Sequence, residues 1–333
     1  MSSVGNIDIS SNPDFNRWLN ENYSVEIEEY TYPSDEVLYQ MSYSDYVDAW
    51  GRFKTDPKIR LSRIEDGFPT PIAYYFYQVQ HSAENPHHRL DLLKSCWESI
   101  AFFLFGLVVG EARHRKLDLK SLGIRWKTYW SDRIHDKLTI TENILDYADK
   151  SGIQFGCSSI VDVPTLAQIR KLNQERNGFA HSAAKNKAQQ MALYDALYPQ
   201  LELVLRQLIK LEDVLVFRYH DAQTPLYPRC EILRNHSLEC RKEIVSLKKD
   251  SYIEVLDHFD ANSIFAKVDD SVFCLSPFIH FFQETHESHP AICFYKQTKG
   301  GKYHFEIVGK SQNREFEKTV FSNMVNQLAG LIQ

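Results

Sequence analysis

The chain has 333 residues, of which 43% are hydrophobic and 25% charged. That is ordinary globular composition, enough for two domains or three small ones with a sizeable core, and it excludes a disordered or low-complexity protein. Lys and Arg number 38 against 44 Asp and Glu, a net charge of −6, so any binding of nucleic acid has to come from a local patch.

The first 72 residues hold thirteen acidic and six basic side chains, a net of −7, which leaves the rest of the chain at +1. Trp18, Tyr30, Tyr39, Trp50 and Phe53 make this acidic segment a folded one rather than a tail. Its charge is read either as a solvated surface or as a mask over a basic site elsewhere. No basic-then-apolar leader opens the sequence and its six cysteines are sparse, so a cytoplasmic location with reduced thiols is expected.

Residues 73–220 carry helical periodicity. Leu90, Leu93, Trp97, Ile100 and Leu104 mark a helix over about 90–107, with Asn85-Pro86 as its start signal. The apolar run Ile100 to Gly110 falls short of the roughly 20 residues of a bilayer span and is closed by Glu98 and Glu111. It is read as a buried core helix, with no membrane contact. Further helices are expected over Leu138 to Ala148, after Pro164 with Thr165 as cap, and from Met191 to Phe217, where Pro199 kinks the helix or marks its start. Together they predict an all-helical bundle of four or five helices.

Beyond Tyr219 the pattern shortens. Strands are expected within Glu254 to Leu275. A hairpin is expected over Ile292 to Val308 about the Lys299-Gly300-Gly301-Lys302 turn, which is a hairpin tip and not a phosphate loop. Phe316 to Ile332 reads as a closing helix. The predicted architecture is mainly α: an acidic segment at 1–72, a bundle at 73–220 and a small α+β module at 221–333.

Phosphate-binding, dinucleotide and nucleophile-elbow motifs are absent. One short segment carries chemistry: Glu175-Arg176-Asn177-Gly178-Phe179-Ala180-His181. On an unbroken helix Arg176 and His181 would stand about 140° apart, but Asn177-Gly178 favours a break that brings them to one rim. Arg offers a rigid cationic fork for phosphate, and His exchanges a proton near neutral pH. Such a pair suffices to cleave a phosphodiester by attack of a ribose hydroxyl without a metal.

Arg176-Asn177-x-x-x-His181 between two helices resembles the Arg-x4-His signature of HEPN-domain proteins, over roughly residues 73–220. The resemblance implies an all-α bundle, usually dimeric, of the kind found in metal-independent ribonucleases of toxin, antiphage and abortive-infection systems. It implies Arg176 and His181 as the catalytic pair, supported by Asn177 and by an acidic residue on an earlier helix, for which Glu98 is the candidate. One His per chain and a reaction needing both a base and an acid lead to an expected homodimer with a composite site. No cofactor or metal is expected. The second expectation is a non-catalytic module of this type that binds nucleotide or a regulatory partner, with the C-terminal part as the working end.

Arg113 to Lys137 holds eight basic and three acidic residues, interleaved with Trp126, Tyr129 and Trp130. This is a candidate RNA groove, with Arg113, Arg115, Lys116, Arg125 and Lys127 as its cations; the other reading is a solvated face over core aromatics. His280, Glu284, His286, Glu287 and His289, flanked by Cys274 and Cys293, are zinc-competent residue types, but their spacing reads as a polar loop.

Overall fold

The computed structural model describes residues 12–22, 35–81, 85–175, 186–221, 228–257, 262–282, 291–310 and 313–333, and among them it is mostly helical with antiparallel sheet towards the C-terminus. The chain divides into two compact units, Met1–Arg63 and Ile64–Gln333. The second contains both the helical segment expected over 73–220 and the module expected over 221–333.

The first unit is built from α1 (Pro13–Asn22), α2 (Asp35–Met41) and α3 (Tyr43–Thr55), followed by the start of α4 (Pro57–Gly67). Phe15, Trp18, Leu19, Leu38, Ala49 and Phe53 form its core. Asn12 caps α1 by accepting from the Phe15 amide (3.0 Å), and Ser42 caps α3 by accepting from the Asp45 amide. Trp18 donates its indole N–H to Asp56 (2.9 Å).

The second unit is organised around α6 (Pro86–His114), which packs against α5 (Thr70–His81), α8 (Ile134–Lys150) and α10 (Lys187–Gln207). Asn85 accepts from the His88 amide (2.8 Å) and Pro86 takes the first turn, as the start signal predicts. The helix outruns its apolar stretch at both ends. It is long and apolar enough to cross a membrane, yet 78% of its most apolar window is buried inside the protein; every residue from Ser99 to Arg113 is buried. It is the core helix that the flanking charges predicted.

The four-residue α7 (Trp126–Tyr129) precedes α8, and α9 (Val163–Glu175) packs on both α8 and α10. Arg170 of α9 pairs with Glu142 of α8 at 2.6 Å. Two expectations are corrected. Thr165 is not the cap of α9: Asp162 is, accepting from the Thr165 amide (2.8 Å). And α10, started by a capping box of Asn186 and Gln189, holds Pro199 in its interior and ends at Gln207, not Phe217.

A 3-10 turn at Ile209–Asp213 then leads into β1 (Leu215–Asp221). With β2 (Arg229–Ile232), β3 (Arg241–Ile244), β4 (Ile264–Val268) and β5 (Ser271–Cys274) it makes an antiparallel sheet in the order β3-β2-β1-β4-β5. Between β3 and β4, Glu254 lies in α11 (Lys249–Asp257), not in a strand. The second sheet, β6-β7-β8-β9, uses β6 (Ile279–Phe282), β7 (Ala291–Lys299), β8 (Lys302–Ile307) and β9 (Asn313–Glu317). The predicted hairpin is β7–β8, closed by Lys299 opposite Lys302, with Gly300 and Gly301 at φ of 60° and 82°. Two successive positive φ angles are what a twisted two-residue hairpin turn needs, and glycine adopts them without strain. The closing helix is α12 (Ser322–Ile332); Phe316 belongs to β9 instead.

The helices and the sheets share one core. Gly106 and Gly110 let α6 pass close under the β5–β6 connection: a Cβ on Gly110 would come within 2.9 Å of the Cys274 carbonyl.

Candidate functional site

Arg176, Asn177 and His181 lie outside the described residues, as do Glu284, His286, Glu287 and His289. Among the described residues no cluster of metal-ligating side chains occurs. His280 is fully buried and shares a hydrogen bond with the Ser276 hydroxyl (3.0 Å), a core histidine rather than a ligand.

Glu98 faces the second sheet. Its carboxylate lies 4.0 Å from Lys296, which also pairs with Glu306 (2.7 Å), and 3.9 Å from Lys94. It borders a small cavity together with Tyr75 and Phe294.

The cations of the predicted RNA groove separate into three kinds. Arg113 is buried: its guanidinium donates to the carbonyls of Ser276 (2.8 Å) and Cys274 (2.5 Å), tying α6 to the β5–β6 connection. Arg115 is half-buried and held by Glu111 at 2.7 Å. Lys116, Arg125 and Lys127 are exposed. Arg113 is thereby removed from the groove, because a guanidinium committed to two buried carbonyls cannot also meet a phosphate.

Lys127 lines a cleft of about 390 Å³, within the range of small-molecule sites. One wall comes from the helical part: Trp126, Lys127, Trp130, Ser131 and Asp132. The other comes from the second sheet and the turn after it: Gln297, Thr298, Tyr303 and Lys318. Trp130 and Tyr303 lie parallel, 1° apart with ring centroids 5.0 Å apart, and Trp126 meets Trp130 at 64° and 5.5 Å.

These rings are held firmly. The Tyr295 hydroxyl donates to the Trp130 carbonyl (3.1 Å) and shares a hydrogen bond with Thr298 (2.8 Å), while its ring meets Trp130 edge-on at 5.2 Å. Burial pushes the Tyr295 hydroxyl up to about 12, so it stays protonated as a donor. Beneath, fully buried Lys137 donates to the Tyr129 carbonyl (2.8 Å) with its nitrogen 3.9 Å from the Phe105 ring centre. Burial holds its ammonium well below the ordinary lysine range.

Trp126, Lys127 and Trp130 were readable as a basic-aromatic stretch. Tyr303 and Lys318 were not, because nothing in an alternating hairpin tells which distant helix it will face. Tyr129, named with the tryptophans, is fully buried and belongs to the core. Comparison with known proteins finds no matching family model, no matching curated protein and no matching solved structure.

Proposed function

We propose that this chain is a metal-independent endoribonuclease of the HEPN type, in a toxin or antiviral defence role. The observation that supports the reading is topological: residues 176–185, which carry the Arg-x4-His motif, connect the end of α9 at Glu175 to the start of α10 at Lys187, and those two helices pack on each other within a helical bundle.

In this reading Arg176 contacts the non-bridging phosphate oxygens and offsets the charge that builds on them during attack. His181 takes the proton of the ribose 2′-hydroxyl, whose oxygen bonds to phosphorus as the bond to the 5′-oxygen breaks. A second His181, from another copy of the chain, returns a proton to that leaving oxygen. The products are a 2′,3′-cyclic phosphate and a 5′-hydroxyl. Asn177 supplies a polar support beside the pair, and Glu98, 3.9 Å from Lys94 and 4.0 Å from Lys296, is the acidic residue of the earlier helix.

The test is purified protein on mixed RNA in EDTA, beside Arg176→Ala and His181→Ala. Cleavage should survive chelation and fall by about 10²-fold or more in each variant, the scale of a lost acid–base or electrostatic group. Equal cleavage by wild type and both variants sinks the reading. Sedimentation of the active species should show a dimer; a monomer cutting at full rate removes the composite site.

A further inference from the structure

The cleft between the helical part and the second sheet has no role in the chemistry just described. We propose that it binds a nucleotide unit, a base with its phosphate, stacked on the Trp130–Trp126 wall. This does not rest on the nuclease reading.

Three features of the cleft carry the assignment. The first is the aromatic surface. Trp130 already packs against Tyr303, parallel at 5.0 Å, and against Phe278, tilted 40° at 5.1 Å, so the Trp126 indole is the wall on which a further flat ring can lie. At 5.5 Å and 64° the two tryptophans leave no slot for a ring between them. A planar ligand therefore lies on one wall, with the second indole at its edge. Both indoles are half-buried, open enough to be covered and fixed enough to need little ordering.

The second feature is charge. Lys127 and Lys318 line the cleft, one from each wall, and both are exposed. Neither forms an ion pair within 4.0 Å among the described residues, and the Lys318 ammonium lies 5.9 Å from the Tyr303 ring centre. Two lysines against Asp132, the one carboxylate among the lining residues, leave the cleft net positive beside its aromatic wall and favour a flat ligand that carries an anion. The third feature is the polar edge. Asp132 supplies an acceptor for an exocyclic amine or a ribose hydroxyl, and Gln297 offers both donor and acceptor to a base edge. A purely apolar ring would leave these groups unused.

The source of the nucleotide is either a free mononucleotide or one residue of a single strand, and the test separates them. Full-length protein is titrated calorimetrically, in EDTA, with AMP, UMP, adenosine and a 12-residue oligodeoxythymidine. The oligomer has no 2′-hydroxyl, so cleavage by the proposed nuclease chemistry cannot disturb the reading. Saturable binding is expected, about tenfold weaker in Trp126→Ala, the loss typical of one stacking platform. Lys127→Glu, an exposed change checked for an unaltered melting temperature, should weaken the phosphate-bearing probes and leave adenosine where it was. Saturation by AMP or UMP assigns a free nucleotide, and saturation by the oligomer alone assigns a strand. No binding of any probe at about 1 mM, or titrations of Trp126→Ala and Lys127→Glu that match wild type, overturns the proposal.

Discussion

Burial among Phe305, Phe316 and Phe321 pulls the His280 imidazole from its ordinary 6.5 down to about 3. The folded state therefore keeps His280 neutral while the unfolded chain takes up a proton below about 6.5. The unfolded state binds more protons across that window, so stability is full above 6.5 and falls as the pH drops towards 3. The slope reaches about 1.4 kcal/mol per pH unit. Unfolding of wild type and His280→Gln between about pH 7 and pH 5 should show this fall in the wild type and a shallower one in the variant. Parallel curves would mean that the imidazole is already charged in the fold. Lys137 obeys the same rule with the same sign: burial disfavours its ammonium in the fold relative to the unfolded chain. Neither histidine burial nor the inward turn of Arg113 was legible in the sequence. Residue type states what charge a side chain can carry, and only packing states which way it points.

At the scale of elements, most of the helices were legible because a three-to-four-residue apolar period has one simple reading. The helix at 86–114, the one at 134–150 and the β7–β8 hairpin all fall where pattern and turn chemistry put them. The failures share a cause. Leu208, Leu211 and Leu215 continue the leucine spacing of α10, yet Leu211 sits in a 3-10 turn and Leu215 opens a strand. The spacing survives a change of backbone geometry that it does not report. Likewise Phe316 alternates with exposed neighbours along β9, a two-residue period too short to stand out before α12. Close approach of elements is a further hidden variable. Gly110 on α6 faces the Cys274 carbonyl at 2.9 Å, and Gly106 faces both Cγ1 and Cδ1 of the fully buried Ile279 side chain at 2.8 Å. Adding a methyl gains about 1 kcal/mol of helix propensity at either site. Overpacking of about 1–3 kcal/mol opposes it at both. Urea unfolding should find neither Gly106→Ala nor Gly110→Ala more stable than wild type. A gain of about 1 kcal/mol in either variant would show that its neighbour yields without strain.

For the whole molecule, the candidate cleft draws its aromatic walls from two stretches some 170 residues apart in the chain, Trp126–Trp130 and Tyr303–Lys318. A local reading finds half of such a site at best. The charge division, by contrast, is fully legible in sequence, and it has a consequence that needs no contact between the two units. Met1–Arg63 carries eleven acidic and six basic residues, a net of −5 in a chain of −6. Its field opposes the approach of any polyanion to the rest of the chain, over a range set by the Debye length of about 10 Å at 0.1 M salt. Removing residues 1–63 should therefore tighten binding of single-stranded RNA at low salt. The gain should shrink as salt rises, since screening takes away only the long-range part. A filter-binding series on the full chain and the shortened one, each with an intact thermal transition, measures this directly. Equal affinities at low salt would reduce the acidic unit to a solvated surface. A gain that persists undiminished at high salt would replace long-range repulsion with direct blockage of the binding site.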